Sequence, residues 1–345
     1  MKEQMKYLKL SKEEMANLLD ELRREFRVVA PVRREGLILF EEIGSGKEAQ
    51  LDFGNSRKSP KDFFFPQMEV LFSYQLSDNE LKIEEPQPEP RKTVIFGMRP
   101  CDARALLLLD KIFLEGEVQD SNYRRRREEN IILALGCTHP RRTCFCTSVG
   151  GNPFGTEGID ALFIDLGKTY VVEVLTQKGE ELLRDRLSEA DEESLKSAER
   201  VKREAESSMG PQVKAKELAD LNLLEIFEDS FWDRVHEKCL GCGICTYLCP
   251  TCSCFDVIDE KTDSGGERIR LWDSCLYPLF TLQASGVNPR PTGRERMRQR
   301  VLHKFKYFAD EFGQPSCVGC GRCVVSCPVN LDIRQVVNEL VGGKA

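Results

Sequence analysis

Apolar positions along the first part of the chain recur with two different periods. Met15, Leu18, Leu19, Leu22 and Phe26 share one helical face, and Ser11 with Glu14 three residues later forms a capping box that starts the turn. Val28 to Ile43 holds two apolar runs broken by Arg33-Arg34-Glu35-Gly36, the pattern of a hairpin. Ser59-Pro60 supplies an N-cap and a first-turn proline for a short helix running into Phe63, Phe64 and Phe65. The prolines within Glu84 to Pro90 predict a linker or exposed loop. Thr93 to Met98 and Asn130 to Leu135 are largely apolar runs of strand length with a helix over Ala103 to Leu114 between them. That order predicts a parallel pair joined by a crossover. Ile159 to Leu175 predicts a hairpin turning at Gly167-Lys168. From Gly179 to Glu237 the chain reads as helical and charged, with Ser188 to Glu206 as a solvated face, and a last helix carries Ile333, Val336, Val337 and Leu340 on one side. The pattern predicts an α+β protein: a mixed α/β domain over residues 1–178, a charged helical arm over 179–236, and a C-terminal domain over 237–345.

Composition narrows the classes. The chain has 345 residues, 41% of them hydrophobic and 31% charged, which is ordinary for a water-soluble fold. A formal net charge of -7 argues against nucleic-acid binding, which needs a concentrated basic face. No apolar run approaches the roughly 20 residues that span a bilayer. Met1 to Leu10 alternates Lys with apolar residues and lacks the apolar core of a signal peptide, so a cytoplasmic location is expected. Fifteen cysteines then change the picture. A reducing compartment disfavours disulfides, so metal or cluster ligation is the expected use of so many thiols.

Spacing gives the ligation its chemistry. Cys239-Leu-Gly-Cys242-Gly-Ile-Cys245-Thr-Tyr-Leu-Cys249-Pro250 is C-x-x-C-x-x-C-x-x-x-C-P, and Cys317-Val-Gly-Cys320-Gly-Arg-Cys323-Val-Val-Ser-Cys327-Pro328 repeats it. Two residues between ligands let a glycine-containing loop wrap three corners of a cubane, and the fourth cysteine reaches the neighbouring cluster. Cys239, Cys242, Cys245 and Cys327 are therefore expected to hold one [4Fe–4S] cluster, and Cys317, Cys320, Cys323 and Cys249 the other. Structural zinc would need only paired C-x-x-C units, without the third spaced cysteine or the proline. The repeat implies a ferredoxin-like core with a long insertion, since 67 residues separate Cys249 from Cys317.

The other cysteines leave alternatives open. Cys252, Cys254 and Cys275 lie in the insertion with the basic stretch Arg290 to Arg300, and either share a further metal with one more ligand or are buried thiols. Cys101 follows the first buried strand, Cys137 follows the second, and Cys144-Phe-Cys146 lies on the next loop. Adjacent strands would gather these four at one end of the sheet, where α/β proteins place ligands. A third centre is expected there, an iron–sulfur cluster or zinc, with His139 as a substitute ligand, the alternative being four unrelated reduced cysteines. A single histidine excludes a Rieske arrangement. Gly44-Ser45-Gly46-Lys47 lacks the spacing of a phosphate loop, and no G-x-G-x-x-G follows a strand. Arg124 to Arg127 reads as an exposed run balanced by Glu128 and Glu129.

With these residues in view, the chain resembles the beta subunit of soluble sulfhydrogenases, the NAD(P)-linked nickel–iron hydrogenases, and is similar to the A subunit of anaerobic sulfite reductase. The resemblance covers nearly the whole chain. It rests on Lys61-Asp-Phe-Phe-Phe65, Phe96-Gly-Met-Arg-Pro-Cys-Asp102, Cys144-Phe-Cys146, both cysteine repeats, Cys249-Pro-Thr-Cys-Ser-Cys254 and Trp272-Asp-Ser-Cys275. It implies an electron-transfer subunit of a hetero-oligomer, relaying electrons between an NAD(P)-linked FAD flavoprotein and a catalytic metal subunit. The alternatives are the sulfite reductase counterpart, or a catalytic subunit that binds substrate at an N-terminal cluster.

Overall fold

The computed structural model describes residues 6–77, 80–87, 91–210 and 212–343. The strands are β1 (Lys6–Ser11), β2 (Arg27–Arg34), β3 (Leu37–Glu42), β4 (Met68–Ser77), β5 (Glu80–Glu84), β6 (Thr93–Met98), β7 (Ile131–Leu135), β8 (Ala161–Asp165), β9 (Thr169–Val174), β10 (Ser188–Glu189), β11 (Phe255–Thr262) and β12 (Gly265–Trp272). Eight of them form one sheet in the order β10-β1-β9-β8-β7-β6-β2-β3. Its centre, β2, β6, β7 and β8, is parallel, and the flanking pairings are antiparallel. β6 and β7 are buried at every position, which is why they lack polar alternation in the sequence.

The turns follow from local chemistry. The β2–β3 hairpin reverses through Glu35 (φ 49°) and Gly36 (φ 79°), the left-handed pair that suits the twist of a two-residue turn. The expected capping box forms: the Ser11 N–H donates to the Glu14 carboxylate at 3.1 Å, and the Glu14 N–H donates to the Ser11 hydroxyl at 3.3 Å. The helix Met15–Leu22 then lays Met15, Leu18, Leu19 and Leu22 on one face of the sheet, with Leu182 and Leu183 beside them. Helices Pro100–Phe113 and Glu192–Ser207 cover the other face through Leu106, Leu109, Phe113, Ala198 and Ala205. The parallel β6–β7 pair with its helical crossover is the one expected.

A second sheet, in the order β11-β12-β4-β5, had no counterpart in the expected elements. Its central pairing joins Ile269 to Val70. Half of the sheet therefore comes from the insertion between the cysteine repeats, and no local pattern announces it. β5 is exposed at every position, so it shows none of the alternation of a half-buried strand. Its last residue begins the segment read as a linker, whose residues 88–90 lie outside the described residues.

The arginine run also differs from expectation. It lies on the helix Ser121–Glu129, where Arg126 pairs with Glu69 and Arg127 with Asp110, both at 2.8 Å, rather than with Glu128 and Glu129. Arg127 is half-buried against Phe64, with 5.7 Å to the ring centre. Arg126 and Arg127 are structural, while Arg124 is exposed as expected.

Beyond Ala215 the helices Ala215–Asp220, Phe231–Glu237, Gly293–Leu302 and Ile333–Gly342 share a third apolar core around Trp232, Leu302, Phe305 and Val337. Cys239, Cys317 and Cys323 lie on its rim. The helix at Gly293 begins with a full capping box between Thr292 and Glu295. The mixed helix-and-sheet class is the one the pattern predicts.

Buried ion pairs tie the parts together. Arg322 holds Asp102 through two bonds of 2.7 Å, with the guanidinium and the carboxylate almost wholly buried. Arg270 of β12 pairs with Glu69 of β4 and with Asp120. Removing one partner of such a pair strands the other charge and costs about 3–5 kcal/mol. Asp102→Asn should therefore destabilise the iron-loaded protein by that order, read as a lower urea midpoint by far-UV circular dichroism. The double change Asp102→Leu with Arg322→Met should recover much of the loss. An unchanged midpoint in Asp102→Asn would mean that this pair does not join the two parts.

Candidate iron–sulfur centres

The two repeats fold into loops of matching backbone. Gly241 and Gly319 have φ of 66° and 63°, and Gly243 and Gly321 both have 72°. Each loop enters a one-turn helix, Ile244–Tyr247 or Arg322–Val325. Backbone N–H groups turn toward sulfur at equivalent places: Gly241 N to Cys239 Sγ at 3.4 Å, and Gly319 N to Cys317 Sγ at 3.5 Å. The Leu331 N–H donates to Cys327 Sγ at 3.2 Å.

Two cavities open between these loops. One is lined by Cys239, Cys242, Cys245 and Cys327, with Cys323 and Arg300 at its edge. The other is lined by Cys249, Cys317, Cys320 and Cys323, with Arg300 and Lys304. Each gathers the first three cysteines of one repeat and the fourth of the other, across the 67-residue separation. The donor set suits a cubane: four thiols, backbone N–H groups on the sulfurs, and cationic side chains against them. Burial pushes the Cys320 thiol up to about 11 and Cys317 up to about 12, against the opposing pull of Arg322 on the first and Lys304 on the second. Cys242 is exposed.

The N-terminal cysteines meet the second loop. Cys101 lies in the first turn of the helix after β6, and Cys137 just beyond β7, its parallel neighbour. Cys146 is pushed up to about 12 by burial first, then by neighbouring Cys144 and Cys137. Cys101 is raised by burial, Asp102, Cys320 and Cys146. Cys101 and Cys146 line one surface cavity with Arg104. Phe145 lines the Cys249/Cys317 cavity and its N–H donates to the Gly319 carbonyl at 2.8 Å. Cys144 Sγ lies 3.6 Å from the Cys320 carbonyl, which also accepts from Asn55 Nδ2 at 2.8 Å. His139 lines a separate groove with Arg99, Leu135 and Gly136. Among the described residues, no three His, Cys, Asp or Glu side chains are placed to hold a single metal ion.

Cys252, Cys254 and Cys275 fall on the other side of the second cavity. The Cys249 thiol is held well below its ordinary value by hydrogen bonding from Cys252, and by Lys304, Thr251 and Lys61. Cys254 sits against Cys275, and hydrogen bonding from it brings Cys254 down to about 7. Lys61 Nζ donates to the Cys252 carbonyl at 2.6 Å and stands 3.9 Å over the Trp272 ring, itself stacked on Phe65.

Sequence reasoning did not assign Lys61, Arg99, Arg300 or Lys304 to the site. Lys61 and Arg99 lie inside segments quoted for the resemblance, and Arg300 closes the basic stretch. Nothing in their spacing says that they are buried.

A family model for a 4Fe-4S dicluster domain matches residues 238–331. The chain is 34% identical over 343 residues to Sulfhydrogenase 2 subunit beta of Pyrococcus furiosus, covering 98% of this chain and 99% of that protein. It belongs to the sulfhydrogenase beta-subunit family. The C-terminal iron–sulfur region of this family member is the one expected from the cysteine repeats. No solved structure matches the chain, and among the described residues no helix is long and apolar enough to cross a membrane.

The contact between the second loop and the N-terminal cysteines depends on Gly319. A Cβ there would lie 2.5 Å from the Cys146 backbone nitrogen, and its φ is left-handed. Gly286 shares that conformation with nothing within 4 Å. Gly286→Ala should cost about 1–3 kcal/mol of backbone strain. Gly319→Ala should cost more, and should release iron on warming at a lower temperature. Equal thermal midpoints for the two variants would show that the loops do not seat as described.

Proposed function

We propose that the chain is the electron-transfer subunit of a cytoplasmic oxidoreductase complex, linking an NAD(P)-dependent flavoprotein to a catalytic metal subunit such as a nickel–iron hydrogenase. The observation that carries this reading is the pair of cavities, each lined by three cysteines of one repeat and the fourth of the other. The relative's name, a sulfhydrogenase subunit, favours a hydrogenase-type complex over a sulfite reductase.

Bound in these cavities, [4Fe–4S] clusters supply one-electron chemistry. The chain's residues do the rest. Cys239, Cys242, Cys245 and Cys327 hold one centre, and Cys249, Cys317, Cys320 and Cys323 the other. Gly241 and Gly319 direct N–H groups at sulfur, and Arg300 Nε donates to Cys245 Sγ at 3.0 Å. Cys242 brings the first centre to the surface, where a redox partner can approach.

Anaerobically isolated protein should contain at least about eight iron atoms per chain and show two interacting [4Fe–4S] signals by electron paramagnetic resonance. Cys327→Ala should damage the centre of Cys239, Cys242 and Cys245, although Cys327 belongs to the other repeat. Loss confined to the Cys317 centre would overturn the crossed assignment, and zinc without iron would overturn the function.

A third centre at Cys101, Cys137, Cys144 and Cys146 is part of the proposal. Its support is the buried Arg99, which among the described residues donates to the carbonyls of Phe53, Gly54, Leu135 and Gly136 and faces Cys137 and Cys101, while nearby Asp102 is taken up by Arg322. A buried cation with no ion pair of its own calls for a counter-charge. An iron–sulfur cluster suits the set better than zinc, whose bonds of about 2.3 Å would draw thiolates to roughly 3.8 Å from one another. Full-length Cys137→Ala should contain about four iron atoms fewer than the parent. Identical iron content would remove this centre.

A further inference from the structure

Three cations lie buried around the cysteine cavities without an ion pair to a carboxylate, the Asp62 beside Lys61 being paired with Lys58 instead. Lys61, Arg300 and Lys304 are 3%, 6% and 5% exposed. Lys61 Nζ bonds the Cys252 carbonyl, Arg300 Nε bonds Cys245 Sγ, and Lys304 Nζ bonds the Thr251 hydroxyl at 3.0 Å and the Ser316 carbonyl at 3.1 Å. Among the described residues, none of the three forms an ion pair with a carboxylate. Other buried arginines do: Arg322 with Asp102, Arg270 with Glu69, and Arg298 with Glu228. An unmatched buried charge is strongly unfavourable, so three together require a concentrated anion between them.

Their distribution is lopsided. Lys304 interacts with Cys249, Cys252 and Cys317, and Lys61 with Cys252 and Cys249. The Thr251 hydroxyl that accepts from Lys304 is itself 3.2 Å from Cys249 Sγ. Arg300 lines both cavities. Lys304 and Arg300 therefore line the Cys249/Cys317/Cys320/Cys323 site, Lys61 backs it through the Cys252 carbonyl, and of the three only Arg300 also lines the site of Cys239, Cys242, Cys245 and Cys327. Arg322, beside Cys320, is already neutralised by Asp102. Cys242 opens the first site to water, which screens charge.

We propose that Lys61, Arg300 and Lys304 make the Cys249/Cys317/Cys320/Cys323 centre the higher-potential member of the pair, so that an electron entering at Cys242 comes to rest there. The inference rests on the two-centre reading above. Adding an electron makes a centre more negative, and unscreened neighbouring cations stabilise that charge. Burial alone works in the opposite sense, because it penalises added charge. Among the cysteines of the Cys249/Cys317/Cys320/Cys323 site only Cys320 is buried, so that penalty is partial, and the three buried cations outweigh it.

The test is a redox titration of the iron-loaded, full-length protein, followed by electron paramagnetic resonance, with iron content measured in every sample. Lys304→Gln touches a hydroxyl and a carbonyl but no sulfur. It should keep about eight irons in the two centres and lower the higher midpoint, so that the reduced-to-oxidised ratio at the parent's midpoint falls several-fold. The lower midpoint should barely move. Lys61→Gln should act in the same direction, and serves if Lys304→Gln loses iron. Arg300→Gln should lower both midpoints, with recovery in Arg300→Lys. Coincident midpoints in the parent, or lysine variants with full iron and unmoved midpoints, would overturn the inference. A parent protein with fewer than eight irons would instead defeat the two-centre reading, whatever the potentials.

Discussion

Arg322 and Asp102 hold the chain together at the point where its chemistry is concentrated. Arg322 lies between Cys320 and Cys323 in the second repeat, and Asp102 follows Cys101 at the start of the helix after β6. Two bonds of 2.7 Å join them, Ser59 donates to the same carboxylate at 2.9 Å, and Arg322 also reaches the Ser56 carbonyl and hydroxyl. A fully satisfied buried pair of this kind fixes geometry more than it adds stability, because desolvation consumes most of the attraction. Here it fixes the register between the sheet's carboxyl edge and the second cysteine loop. Only in that register can Gly319 lie against the Cys146 backbone and Phe145 enter the second cavity.

The long insertion follows from the same constraint. If the fourth cysteine of each repeat must reach the other loop, the loops must touch, and whatever separates them in sequence has to leave and return. The chain leaves as β11 and returns as β12, which pairs with β4 and so anchors the excursion to the N-terminal part. Trp272 ends that return, stacked on Phe65 at 5.8 Å and under Lys61 at 3.9 Å. The segments Lys61–Phe65, Cys249–Cys254 and Trp272–Cys275, scattered over more than two hundred residues, converge on one flank of the second cavity. Arg99–Asp102 and Cys144–Cys146 converge on its opposite flank.

Legibility in the sequence tracked locality. β6, β7 and the helix between them were readable because continuous apolar runs report burial on both faces, and the β8–β9 hairpin because its turn has its own chemistry at Gly167 (φ 97°). The cysteine repeats were readable because cubane ligation is mostly local, three ligands within seven residues. The second sheet was not, since its strands find partners nearly two hundred residues away and β5 and β11 are exposed throughout. Buried cations are equally silent: Lys304 and Lys306 sit two residues apart in a basic segment, yet Lys306 pairs with Asp310 while Lys304 meets only a hydroxyl and a carbonyl. Burial and partner, rather than residue type, distinguish a charge that acts on a redox site from one that closes a helix turn.

The order of contact among the cysteine groups gives the arrangement two distinct ends. Cys323 and Arg300 border both cavities of the repeats, so those sites adjoin directly. Phe145, between Cys144 and Cys146, borders the second cavity from the side of the N-terminal set. Solvent meets this series at Cys242 beyond the first cavity, and again where Cys101 and Cys146 open beside Arg104 and Glu157. A chain that served one redox partner would need one such opening. Two openings, separated by the second site and its buried cations, would let two partners approach without displacing one another, which is the geometry the proposed carrier role calls for.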